Sequence, residues 1–198
     1  MATDMKMLIA EHFDALVRQR GIDKVTVKAV IEDCGISRQT FYYHFQDIMD
    51  VVEWYQNQSL RQSIERSLEA PSYQEAIRGV IYEVFQHRAL IQQLIASHRR
   101  KEMELLFFKA MRTYLQELLR GRSPDLSGSL ADLDTVLSFY SCGLVGMLLM
   151  SLEQKNPDVD ALAGQMCRLL TGENTLRFTD RAAPVLPSTL TNFGDSEH

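Results

Sequence analysis

Hydrophobic positions recur along most of this chain at steps of three and four residues, the period of helices with one face turned inward. Between Asp4 and Arg20 they fall at Met5, Leu8, Ile9, Phe13, Leu16 and Val17, with Thr3 as a candidate cap and Gly21 as a stop, which predicts a first helix. His12 lies on the same stripe and is expected to be a packed core histidine. Thr26 can cap a short helix over Val27–Cys34, Gly35-Ile36-Ser37 reads as a tight turn, and a second short helix follows from Arg38 to Phe45. In the turn, Gly35 suits a left-handed position closing the first helix, Ile36 is the apolar residue to bury, and Ser37 offers a cap oxygen to the second helix.

Asp47 is placed to cap a long helix to about Leu68, with Ile48, Val51, Val52, Tyr55, Leu60 and Ile64 inward and Pro71 beyond its end. The helical period then holds over Tyr73–Arg99 and Glu102–Leu119, and breaks at Arg120-Gly121-Arg122-Ser123-Pro124. Two more helices are predicted, Leu130–Glu153 and Asp158–Leu170, divided by Asn156-Pro157 and stopped by Gly172. Residues 173–198 have two prolines, weak periodicity and many small polar side chains, and are expected to form a flexible tail. The fold class is therefore all-α, with a helix-turn-helix unit over residues 1–47 and a larger helical unit over residues 48–172.

Composition narrows the function classes. At 198 residues and 45% hydrophobic content the chain can bury a core. Its first residues lack a basic stretch followed by an apolar one, so a cytoplasmic location is expected. Cys34, Cys142 and Cys167 are odd in number and far apart, which speaks against a disulfide framework or a zinc site and predicts small buried residues in a reducing compartment. His87 and His98, if on one helix, would stand about 16 Å apart along it, too far to share an ion. No metal and no cofactor are expected, and no nucleophile with an adjacent base, glycine-rich phosphate loop or carboxylate pair supports an enzyme. The run from Thr135 to Leu152 is uncharged and near the lower length limit of a membrane span. Ser138, Ser141, Gly143, Gly146 and Ser151 dilute it and no Lys/Arg cluster flanks it, so a helix buried on most sides by protein is expected instead, and no membrane partner.

A helix-turn-helix lays its second helix in the major groove of double-stranded DNA. There Arg38, Gln39, Thr40, Tyr42, Tyr43 and His44 form the candidate reading set. Arg can donate twice to guanine, Gln can pair with adenine, and a Thr methyl can touch thymine. Thr26, Lys28, Tyr43 and His44 are suited to phosphates, and Ser37, at the start of the second helix, is counted with them as a DNA-binding candidate. Phe41 and Phe45, four apart, can face inward together, whereas Gln39, Tyr43 and His44 must point elsewhere, so the segment is more than an aromatic core helix. The net charge of −5 is unexpected for a nucleic-acid binder, and any positive face must come from the local arrangement of Arg20, Lys24, Lys28 and Arg38.

The segment VKAVIEDCGISRQTFYYHFQDIMDVV, Val27 to Val52, resembles the DNA-binding segment of TetR-type regulators, with its aliphatic-Ala pair, Gly-aliphatic-Ser turn and Tyr-x-His-Phe. Within that family Thr40–Trp54 is similar to a subgroup that includes regulators of dihydroxyacetone-kinase operons. Three positions depart from the pattern: Ile48 stands where a phosphate-contacting Lys is usual, and Ile31 and Cys34 replace small alanines. The resemblance implies a homodimer on a palindromic operator, joined through its last two long helices, with a small-molecule effector among the middle helices. Tyr82, Phe85, His98, Phe108, Met111 and Tyr114 are the candidate effector contacts, and Ser138, Cys142, Val145, Gly146, Leu149 and Met166 the candidate dimer contacts. An effector-responsive repressor is expected; a partner-dependent activator or co-activator, and a helical ligand-binding or interaction module that does not bind DNA, remain alternatives.

Overall fold

The computed structural model describes residues 2–122 and 130–173. The expected tail, apart from Glu173, and the segment 123–129 lie outside the described residues. Nine α-helices and one 3-10 turn fill the described residues: α1 Ala2–Arg20, the turn Ile22–Lys24, α2 Val27–Cys34, α3 Arg38–His44, α4 Ile48–Glu69, α5 Tyr73–Gln86, α6 Arg88–Ile95, α7 Arg100–Arg122, α8 Leu130–Glu153 and α9 Val159–Leu170. The first helix starts two residues before the sequence pattern placed it, so Thr3 lies inside its first turn and does not cap it.

Local chemistry fixes the ends of the short helices. Thr26 Oγ1 accepts from the Ala29 amide (3.2 Å) and Ser37 Oγ from the Thr40 amide (3.0 Å), satisfying donors that a helix start leaves unpaired. Gly35 adopts φ 65°, ψ 28°, a left-handed conformation that other residues adopt at a cost. Its amide donates to the Glu32 carbonyl and that of Ile36 to the Ile31 carbonyl, the paired bonds that close a helix around such a glycine. Asp47 caps α4 by accepting from the Asp50 amide (3.0 Å), while the Asp50 carboxylate accepts from the Gln46 amide (3.0 Å).

Two hydrophobic cores result. The first gathers Ile9, Phe13, Val17, Val30, Phe41, Phe45, Ile48 and Val51 from α1–α4, and it also takes in Leu94 of α6 and Met103 of α7. The second joins Ile77 and Ile81 of α5, Tyr114, Leu115 and Leu118 of α7, Leu144 and Leu148 of α8, and Leu162 and Met166 of α9. Helix α4, 22 residues and about 33 Å long, connects them. Its first turns sit in the first core, and Leu60 and Ile64 pack on the second. His12 is not a core histidine: it is half-buried and its Nδ1 donates to Asp33 Oδ2 at 2.7 Å, tying α1 to α2.

The single helix predicted over Tyr73–Arg99 is broken at His87, where φ −96° and ψ 13° leave the helical path without a Gly or Pro. The break has a tertiary cause. Arg88 and Gln92 of α6 donate to the carbonyls of Gln154 and Leu152, so the end of α8 sets the direction of α6.

Among the described residues one helical stretch, Leu133–Glu153, is long and apolar enough to cross a membrane, with a mean hydropathy of 1.7. Only 39% of its apolar window is buried inside one copy, less than the sequence pattern implied. Leu137, Leu144, Val145, Leu148 and Leu152 face inward, while Val136, Phe139, Gly143 and Met150 form an exposed stripe along the other side. The cysteines also differ from expectation, Cys142 being exposed and Cys34 and Cys167 only half-buried.

Candidate nucleic-acid interface and internal cavity

The outer face of α3 is built by opposition. Phe41 and Phe45, both almost fully buried, anchor one side of the helix 6.1 Å apart ring to ring, and Phe45 meets Trp54 of α4 edge to face. With that side fixed, the intervening residues point out: Arg38 and Gln39 are exposed, Tyr42 is 47% exposed and Tyr43 82%. The Arg38 guanidinium lies over the Tyr42 ring at 5.7 Å, and Tyr43 stacks edge to face on His44 at 4.9 Å. Ser37 and Thr40 are spent on the helix start, their hydroxyl oxygens 2.8 Å apart. The reading set named from sequence is thus divided: Arg38, Gln39, Tyr42 and Tyr43 are open to a partner, and Thr40 and His44 are half-buried.

Charge on this face is sparse. Lys28, 80% exposed, lies 3.7 Å from Glu32 one turn on, a solvated pair that a phosphate can replace at little cost. Ile48, at the position where the family pattern has a Lys, is only 6% exposed and belongs to the first core. The chain uses that position for packing.

A cavity of about 240 Å³ lies between the two cores. Phe13, Asp14 and Val17 of α1 form one end of its wall, Tyr55, Gln56, Ser59 and Ser63 of α4 a polar side continued by Glu83 and His87, and aliphatic and aromatic residues of α4–α8 the remainder. Of the six effector contacts expected from sequence, Met111 and Tyr114 line it. The Tyr114 hydroxyl also donates to Ser67 Oγ at 2.9 Å. Tyr82, Phe85, His98 and Phe108 do not line the cavity. Tyr82 is exposed beside Asp160, Phe85 packs on the second core, His98 is exposed with its amide on Asp23, and Phe108 is half-buried. Two expected dimer contacts, Val145 and Leu149, line the cavity instead, and Met166 is enclosed in the second core. Ser138 and Gly146 are half-buried, and Cys142 is exposed.

The wall's carboxylates have partners. Asp14 accepts from Arg18 Nε at 2.7 Å, and that bond raises the arginine's pKa above its usual value. Arg18 Nη2 donates to His87 Nδ1 at 3.2 Å, linking α1 to the break between α5 and α6. Glu83 accepts from Arg66 at 3.1 Å and from Ser63 Oγ at 2.7 Å. Burial first, then the charge of Asp14, raises the Tyr55 phenol, so it stays a neutral hydroxyl. Gln56 Nε2 donates to the Leu106 carbonyl at 3.4 Å, but its Oε1 is buried with no hydrogen-bond partner among the described residues. An acceptor left so costs about 1–3 kcal/mol. The α1 and α4 walls were missed in the sequence because Phe13 and Val17 read as core. The available signal was the polar row Tyr55, Ser59, Ser63, at steps of four on the inward face of the long helix.

Residues 14–53 match the family model described as bacterial regulatory proteins, tetR family. The match covers the helix-turn-helix segment, and the chain as a whole has the all-helical fold seen in solved TetR-family transcriptional regulators. Similar solved structures include the dihydroxyacetone kinase operon activator DhaS, at 17% identity and TM-score 0.64, covering 85% of this chain and 95% of that one. A TetR transcriptional regulator from Streptococcus agalactiae 2603V is 18% identical with TM-score 0.63 over 85% of this chain and 94% of its own. FadR from Thermus thermophilus, a TetR-family repressor in complex with lauroyl-CoA, is 16% identical with TM-score 0.62 over 90% and 99%. No curated protein matches the chain in sequence.

Proposed function

We propose that this protein is an effector-responsive transcriptional repressor that binds a palindromic operator as a homodimer. The observation that carries the reading is α3 itself, anchored by Phe41 and Phe45 while it holds Arg38, Gln39, Tyr42 and an 82% exposed Tyr43 outward. A bare aromatic ring on a capped helix has no folding role and suits contact with a DNA backbone or base edge. Residues 1–47 act as the reading unit and residues 48–172 as the unit that dimerises and senses. Two copies meet through the open apolar stripe of α8, at Val136, Phe139, Gly143 and Met150, which sets two copies of α3 about 34 Å apart, one turn of DNA. The effector enters the cavity and touches α1 directly through Phe13, Asp14 and Val17. It releases DNA by favouring a spacing of the two α3 helices that no longer fits successive grooves, to the extent of its differential affinity for the two arrangements.

A second reading, a partner-dependent activator, draws on the sparse positive charge: buried Ile48, Lys28 beside Glu32, and a net charge of −5. Fluorescence-anisotropy titration against the DNA upstream of the protein's own gene, over a salt series, separates them. The repressor reading expects autonomous binding that weakens with salt and falls by about tenfold or more in Tyr43→Ala. Because Tyr43 is exposed, the variant's melting temperature should stay unchanged. Binding that needs an added protein favours the activator, and none in any condition rejects both.

A further inference from the structure

We propose that Lys6, on the first helix, binds a DNA phosphate at the rim of the major groove that α3 enters. The inference deepens the regulatory reading above and rests on it; Lys6 supplies charge and does not read sequence.

Cations are few on the reading unit, and most are occupied. Arg18 is held by Asp14 and His87, Arg20 donates to Gln19, and Lys28 stands beside Glu32. Lys24 is exposed on the turn Ile22–Lys24. Lys6 has no carboxylate partner among the described residues. Its Nζ lies 5.0 Å from the centre of the Phe45 ring, so a half-buried stem brings the charge to the close of α3. An aromatic face orients an ammonium without neutralising it, which leaves the charge available to a phosphate. Asp47 and Asp50, the carboxylates that follow Phe45 most closely, are engaged on backbone amides at the start of α4.

Position turns this free charge into a binding role. A recognition helix meets base edges with its N-terminal residues, and here that end carries Arg38 and Gln39. Over its seven residues α3 rises about 10 Å, against a groove about 12 Å wide, so its Phe45 end stands near the rim, where the phosphates run. Tyr43, 82% exposed, points outward two residues before Phe45. One cation thus stands at each end of α3, Arg38 over the Tyr42 ring and Lys6 over that of Phe45.

The test is an anisotropy titration of the full chain over a salt series, with the duplex upstream of its own gene and a scrambled duplex of equal length. Lys6→Met keeps an apolar stem over Phe45 and removes the charge. Its plot of log affinity against log salt should be shallower by about 0.9, with binding about eightfold weaker near 0.1 M salt on both duplexes. Lys6→Arg should restore slope and affinity. An unchanged slope in Lys6→Met, or an equal loss in Lys6→Arg, overturns the inference. A second measurement needs no variant: acetic anhydride labelling of the wild-type chain with and without DNA, read by mass spectrometry. Lys6 should label several-fold more slowly in the complex, while Lys101 and Lys109, exposed on α7, label at unchanged rates. Unchanged labelling of Lys6 also overturns the inference. A wild-type chain that binds neither duplex at any salt removes the regulator reading itself, whereas wild-type binding indifferent to Lys6 removes this inference alone.

Discussion

Single side chains in this protein are set by their nearest neighbours in sequence or by distant ones, and only the first kind could be read in advance. Thr26, Ser37 and Asp47 cap the helices they precede, and Gly35 takes the left-handed turn position, because each acts within three or four residues. Cys34 shows the other kind. It was expected to be buried, and is half-buried at the edge of the first core, where burial and then the neighbouring charge of Asp33 push its thiol up to about 11. Its alkylation by iodoacetamide at pH 8 should therefore be at least about tenfold slower in the folded protein than in urea, followed by mass spectrometry of the labelled peptide. Equal rates would contradict the shift. The sign for stability follows: the folded-state value lies above the unfolded one, so the contribution of the neutral thiol is full below about 9 and is lost as pH rises through about 11.

At the level of elements, period and punctuation located the helices, and failed where a tertiary contact overrides them. Nothing in the composition around His87 marks a break, because the break is imposed by Arg88 and Gln92 reaching the end of α8. Helix α8 shows the same limit. A run of uncharged residues gives no phase, so sequence alone could not tell which side holds the cavity and which is left open; Val145 and Leu149, expected at a subunit contact, line the cavity. The exposed stripe is the side to perturb. Phe139→Glu, 74% exposed in one copy, should leave the far-ultraviolet circular dichroism and helix content intact while sedimentation velocity reports a monomer. A variant that stays dimeric would place the subunit contact elsewhere. The loss should carry over to DNA, since two weak half-site contacts then lack a common scaffold.

For the molecule as a whole, the sequence motif suggested a reading unit that ends near residue 47, and the packing ties that unit to helices far along the chain. Leu94 and Met103 close the first core, and Met103 is fully buried in it. A fragment of residues 1–69 lacks both, at a size where a core is already marginal. Its thermal melt by circular dichroism should be broad and non-cooperative, against a sharp transition for the full chain; a sharp transition in the fragment would show that the first core is self-sufficient. The cavity stayed invisible to motif reading for a related reason, since its walls come from six helices and no local pattern marks a volume that distant elements enclose. The sharing of Leu94 and Met103 also bears on how such chains diversify. An N-terminal segment exchanged with that of a relative would bring a new α3 face together with a mismatched lid of side chains, so recombination at residue 47 is disfavoured unless positions 94 and 103 co-vary with the segment they cover.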